Sequence, residues 1–217
     1  MNIQDIKKDL IELGLGDNID LALLIYLAIA ARGTKRKLSV TVTGPSGVGK
    51  SHLVETVLKL FPQKDIMSIS KMTPAALVRC GDLSDKVIFV YEKFKDDLFA
   101  QYVRELISEG QVIYPTAAGD HFLKGPTTLI ETTANPRMVG IENKSRCFVV
   151  GANTSEAAQR GIFERQKALR TLEGFSMNGT NPASDNFFKM LPGAISLVLF
   201  KIIQGISLMV LLHYFVP

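Results

Sequence analysis

The chain has 217 residues, 47% hydrophobic and 21% charged, enough for one folded α/β domain with a short appendage. A formal net charge of +4 permits a nucleic-acid partner without demanding one. Its two cysteines, Cys80 and Cys147, lie far apart, which excludes a zinc ribbon or a CxxC redox pair and fits a reducing cytoplasm.

Residues 3–14 read as a short amphipathic helix, and the N-terminus shows no apolar run after its basic residues, so no signal peptide is expected. Asp17 or Asn18 can cap a second helix, 19–31, rich in Leu, Ile and Ala. Residues 32–37 form a basic turn, read as a solvated loop in preference to a nucleic-acid patch. A β-branched strand is predicted over 38–43, followed by a helix over 49–61. The pattern then repeats in kind. A short strand at 65–70 precedes a helix at 73–80, with Thr73 as cap and Pro74 in its first turn. The run KVIFVY (86–91) reads as a buried parallel strand, and 96–109 as a helix. Residues 111–116 and 121–124 flank Ala117–Asp120 as a β-hairpin. Strands follow at 127–133 and 146–150, then a closing helix at 155–172. Strands alternating with helices argue for a three-layer α/β domain with a mainly parallel sheet. Gly, Ser, Asn and Pro crowd residues 174–186, which places a domain boundary there. The expected division is an N-terminal helix (1–17), a nucleotide-binding domain (18–173), a linker (174–192) and an apolar tail (193–217).

One motif carries chemistry. Gly44, Pro45, Ser46, Gly47, Val48, Gly49, Lys50, Ser51 and His52 lie between a predicted strand and a predicted helix. Glycines at this spacing let backbone N–H groups turn inward around phosphate oxygens, and the helix adds its positive end. Lys50 would reach the β- and γ-phosphates, and Ser51 would bind Mg²⁺. ATP with Mg²⁺ is the expected cofactor.

Glu92 directly follows the strand at 86–91. At the carboxyl end of a parallel strand it would face the phosphates and could polarise a water, besides contacting Mg²⁺. Hydrolytic enzymes with this loop commonly hold the metal through an aspartate on that strand, and here Tyr91 takes the preceding position. The strand at 65–70, between the two motifs, favours an ATPase with an intervening strand over a simple kinase. A small-molecule kinase would also need an acceptor pocket and an Arg-rich lid.

The segments TGPSGVGKSHLVETV, SISKMTPAAL, DLSDKVIFVYE, RELISEGQV, KGPTTLIETTAN and SRCFVVGANTSEAAQRGI together resemble the AAA+-like ATPase module of phage and mobile-element DNA primase–helicase proteins. That group is related to minichromosome maintenance and superfamily III helicases, and the resemblance runs from Ile19 to Leu172. It implies an ATPase coupled to DNA handling in an oligomer or ring. It also implies that the strand ending at Thr133 lies between the two motif strands, with Thr133 or Asn135 sensing the γ-phosphate. Arg146 would be an arginine finger acting across an interface, with Arg160 and Arg165 as further candidates. The hairpin around residues 117–120 would carry His121 and Lys124 toward single-stranded DNA. The chain departs from the group in two ways: it shows no primase catalytic or zinc cluster, and its helical lid is reduced to 155–172 or absent.

The stretch from Ile195 to Val216 is apolar apart from Lys201, Gln204 and His213. Its length matches a membrane span. A buried helix and a disrupted continuation of the domain are the alternatives, since Lys201 and Gln204 are costly at mid-membrane. A cytoplasmic protein with membrane association through this tail is therefore one expectation.

Overall fold

The computed structural model describes residues 2–34, 37–93, 96–116, 119–136 and 147–169. The expected linker (174–192), the apolar tail (195–216), Arg146 and residues 117–118 lie outside the described residues. Among the described residues, no helix is long and apolar enough to cross a membrane.

Helix α1 (Ile3–Glu12) opens the chain, with the Asn2 amide donating to the Asp5 carboxylate at 2.8 Å. It buries Ile6 and Leu10. Helix α2 (Ile19–Ala30) is apolar on nearly every side and buries seven residues, so it runs through the core instead of along its surface. Its expected cap is corrected. Asn18 occupies the capping position, but its side chain makes no bond to the helix. Its Oδ1 accepts instead from the backbone N–H of Asn153 at 2.8 Å, tying the start of α2 to the far end of the sheet.

Five strands make the main sheet: β1 (Ser39–Thr43), β2 (Ile66–Ile69), β3 (Val87–Val90), β6 (Thr128–Thr133) and β7 (Cys147–Gly151). Their order is β2-β3-β6-β1-β7, and every neighbouring pair is parallel. The strand at 128–133 therefore lies between β1 and β3, as expected for it. Strands β1, β3 and β6 are buried along their whole length, which explains runs such as VIFV without polar alternation.

Helices cover both faces. One face packs α1, α2 and α3 (Lys50–Leu58) over Val40, Val42, Phe89 and Ile130. The other packs α4 (Pro74–Val78), α5 (Asp97–Ser108) and the hairpin over Ile88, Val90 and Leu129. Thr73 caps α4 by accepting from the Ala76 N–H at 3.2 Å, with Pro74 at its first position, and Asp96 caps α5 through the Phe99 N–H at 2.9 Å. Helix α6 (Glu156–Leu169) follows β7.

The hairpin, β4 (Gln111–Thr116) with β5 (Gly119–Lys124), forms a separate two-stranded antiparallel sheet. Val112 and Leu123 pair on its buried face, and Ile113 and Phe122 pair on its exposed face. Gly125 carries the chain from β5 toward β6. A Cβ there would stand 2.8 Å from the Leu106 carbonyl oxygen, so only glycine lets the chain pass this close to α5.

At Arg32 and Lys37 the basic turn is neither solvated nor open to a nucleic acid. Arg32 pairs with Asp65 at 2.8 Å and lies over the Phe61 ring, with its guanidinium carbon 5.7 Å from the ring centroid. The Lys37 ammonium, only 4% exposed as a side chain, bonds the Asp85 carboxylate and the Arg32 carbonyl. Both cations are committed inside the domain. Residues 35 and 36 lie outside the described residues.

Candidate nucleotide site

The phosphate loop leaves β1 at Thr43 and enters α3 at Lys50. Gly49, immediately before the helix, has φ +78°, a left-handed conformation that side-chain-bearing residues rarely adopt. Gly47 has φ +85° at the exposed apex, and a Cβ there would meet nothing within 4 Å. Pro45, Ser46 and His52 are exposed, while Val48 tucks its side chain into the domain and anchors the loop.

Lys50 is 8% exposed. Its Nζ donates to the carbonyls of Gly44 and Pro45, each at 2.8 Å. An ammonium has three hydrogens to give, so one remains for an anion. The N–H groups of the first turn of α3 lack intrahelical acceptors and add a positive end at the same place. A buried cation with a remaining donor, a glycine-built curve and a helix N-terminus form a donor set that fits a polyphosphate. Ser51 sits within that first turn. Among the described residues, no group of three or more His, Cys, Asp or Glu could hold a metal by itself. Ser51 and Glu92 are the side chains that would be offered to Mg²⁺.

Glu92 stands just past the end of β3 and is exposed. Its Oε1 accepts from the Thr133 hydroxyl at 3.1 Å and from the Ala134 N–H at 3.1 Å. Thr133, fully buried at the end of β6, also gives its carbonyl to the Gly44 N–H at 3.2 Å. Lys50, Gly44, Thr133 and Glu92 are thus joined by successive hydrogen bonds across three adjacent strand ends. Asn135 lies one step further: its backbone N–H donates to Thr133 Oγ1 at 3.1 Å. Thr133 therefore touches Glu92 through its side chain, and Asn135 reaches the same point through its main chain.

Three polar contacts at the site had no clear sequence signal. Tyr91, in the position where a metal carboxylate was expected, donates its phenol to Glu55 Oε1 at 2.6 Å. Its ring packs on Phe89 with centroids 4.5 Å apart. The hydrogen bond to Glu55, with burial adding to it, holds the phenol above its ordinary pKa. Glu55 sits one helical turn beyond Ser51 on α3, so Tyr91 ties the phosphate-loop helix to the tip of β3. Next, Lys93 pairs with Glu131 at 2.7 Å, and Glu131 also accepts from Thr41 Oγ1 at 2.8 Å. Finally, Asn153 bonds the Asp17 carbonyl and Asn18 Oδ1, at 3.0 and 2.8 Å, docking the chain after β7 onto the α1–α2 turn. The only hint of these was a lone departure, a tyrosine where an acid was expected.

The hairpin residues do not converge. His121 and Lys124 are both exposed, but they lie on opposite faces of β5. His121 pairs with Tyr114, whereas Lys124 shares its face with Phe122. Arg160 is exposed on α6 and lies 3.7 Å from Glu156.

A family model described as the MTBMA_p00010 P-loop domain matches residues 5–110. Over those residues the chain is similar to a P-loop domain. The matched segment takes in the phosphate loop, Tyr91, Glu92 and α5, and ends before the hairpin, Thr133 and Asn135. A search of the curated proteins returned no match. The P-loop match and the parallel five-stranded sheet agree on a nucleotide-binding superfamily.

Proposed function

We propose that the P-loop domain binds ATP with Mg²⁺ and hydrolyses it, with Glu92 as the base. The observation that supports this most is the chain of hydrogen bonds from Lys50 through Gly44 and Thr133 to Glu92. Gly44–Ser51 would hold the phosphates, and Lys50 would offset their charge. Ser51 and Glu92 would hold Mg²⁺, which when bound would offset charge developing on the phosphates. Glu92 would orient a water and take its proton, while Thr133 fixes the carboxylate and Asn135 supports Thr133. Arg146 is proposed to act from a neighbouring subunit.

The finer reading is an ATPase of the replicative helicase or primase-associated kind, acting on single-stranded DNA as an oligomer. It is supported by the place of β6 between β1 and β3 and by a hairpin inserted ahead of β6, outside the main sheet. Phosphate release by the full chain, measured with and without single-stranded DNA, tests it. Stimulation by DNA is expected, and DNA-insensitive turnover contradicts the DNA-coupled reading.

One observation favours a second reading, in which nucleotide is bound without useful turnover. Tyr91 replaces the usual metal carboxylate and is tethered to Glu55. Tight ATP binding by a monomer that releases no phosphate would support that reading.

A further inference from the structure

Lys93 is buried beside the candidate base, and nothing in the phosphate chemistry uses it. Its side chain is 9% exposed and that of its partner Glu131 is 7% exposed. The two stand 2.7 Å apart, and Thr41 Oγ1 donates to the same Glu131 oxygen. Buried ion pairs of this kind contribute little net stability, because desolvation offsets the attraction. Stability alone does not account for a cation past the end of β3 paired with an anion on central strand β6.

The backbone offers an account. The ladder between β3 and β6 ends at the pair Val90↔Glu131. Beyond it, the Lys93 N–H still donates to the Thr132 carbonyl at 2.8 Å. The residue after Glu92 is therefore fixed to β6 twice, by its main chain and by its side chain. A cavity lined by Val90, Lys93, Phe99, Val103, Arg104 and Glu131 lies against the pair on the α5 side. The Lys93 ammonium stands at the wall of that cavity, where Glu131 holds it.

We propose that Lys93 is a positioning residue that acts through Glu131 to keep the Glu92 carboxylate on Thr133 and Ala134. Without the pair, only main-chain contacts at Tyr91 and Lys93 hold the turn that carries Glu92 against β6. The proposal rests on reading Glu92 as the base, and it can fail separately from that reading.

The test uses the full chain and reads the Ala134 amide by NMR at one pH, through its chemical shift and its protection from exchange. In the wild type this N–H donates to Glu92 at 3.1 Å. Glu92→Ala removes the acceptor and serves as the control. The double variant Lys93→Met/Glu131→Gln keeps the shape and an acceptor for Thr41 while removing both charges. It is expected to move the Ala134 amide at least halfway to its Glu92→Ala position, with the Tyr91 N–H bond to Ile69 still protected from exchange. If the double variant does not fold, Lys93→Gln is read in the same way. An Ala134 amide unchanged in shift and protection in a folded variant overturns the proposal. Equal phosphate release by wild type and Glu92→Gln would overturn only the base assignment, because the amide readout does not depend on turnover.

Discussion

The Thr133 hydroxyl donates to Glu92 Oε1 at 3.1 Å, joining the ends of two neighbouring strands. Thr133 also accepts the Gly44 N–H through its carbonyl, so one residue touches both the start of the phosphate loop and the candidate base. This shared contact is what makes the loop and Glu92 a single site. Replacing Thr133 with valine keeps the volume and deletes the hydroxyl. A hydrogen bond to a charged group is worth about 1.5–3 kcal/mol, so phosphate release should fall roughly tenfold to a hundredfold. ATP affinity should change far less. Steady-state kinetics check this, and an equal loss in binding and rate would point to collapse of the loop instead.

Lys50→Met removes the one buried ammonium of the loop. ATP affinity should drop by about 1.5–3 kcal/mol, again roughly tenfold to a hundredfold. Titration with a fluorescent ATP analogue measures it, with Lys59→Met, exposed just past the end of the same helix, as the control. Equal affinity in the two variants would remove Lys50 from the site.

Tyr91→Phe deletes the bond to Glu55 and keeps the stacking on Phe89. The expected cost is about 1–2 kcal/mol of folding stability, read from urea denaturation. ATP binding should persist. A stability within error of wild type would mean that the phenol does not tie α3 to β3.

Tyr26 gives a pH prediction. Burial, with the charge of Asp9 adding to it, pushes its phenol up from 10.0 to about 12. The folded state therefore holds its proton more tightly than the unfolded chain. The associated stability is complete below pH 10 and is lost as the pH rises toward 12. A rise of this size corresponds to roughly 2–3 kcal/mol. Urea unfolding at pH 9 and pH 11.5 should show a steeper loss in wild type than in Tyr26→Phe. Parallel losses would contradict the assignment.

Much of the fold was legible because its signals are local. Residues 39–43 and 87–90 are short apolar or β-branched runs bounded by polar residues, and they form buried parallel strands. Thr73–Pro74 and Asp96 announce helix starts and cap them. The strand at 66–69 was also legible, and the place of the strand ending at Thr133 between the two motif strands followed from the resemblance. What stayed hidden depends on contacts between distant residues. Glu131 looks like an ordinary polar residue in TLIETT until β1 and β3 flank it and supply Thr41 and Lys93. Asn18 looks like a helix cap until Asn153, 135 residues later, takes its side chain. Arg32 and Lys37 look solvated until Asp65 and Asp85 come alongside. In each case a polar group reads as surface because its partner is invisible to any local pattern.

The central claim is that Glu92 activates water for hydrolysis of ATP bound at Gly44–Ser51. Phosphate release by purified full-length wild type and Glu92→Gln, with ATP binding measured on the same samples, tests it most directly. Removing a general base typically costs about 10²–10⁴-fold in rate. The account predicts a loss of that order with ATP affinity retained. Equal turnover in the two proteins would contradict it.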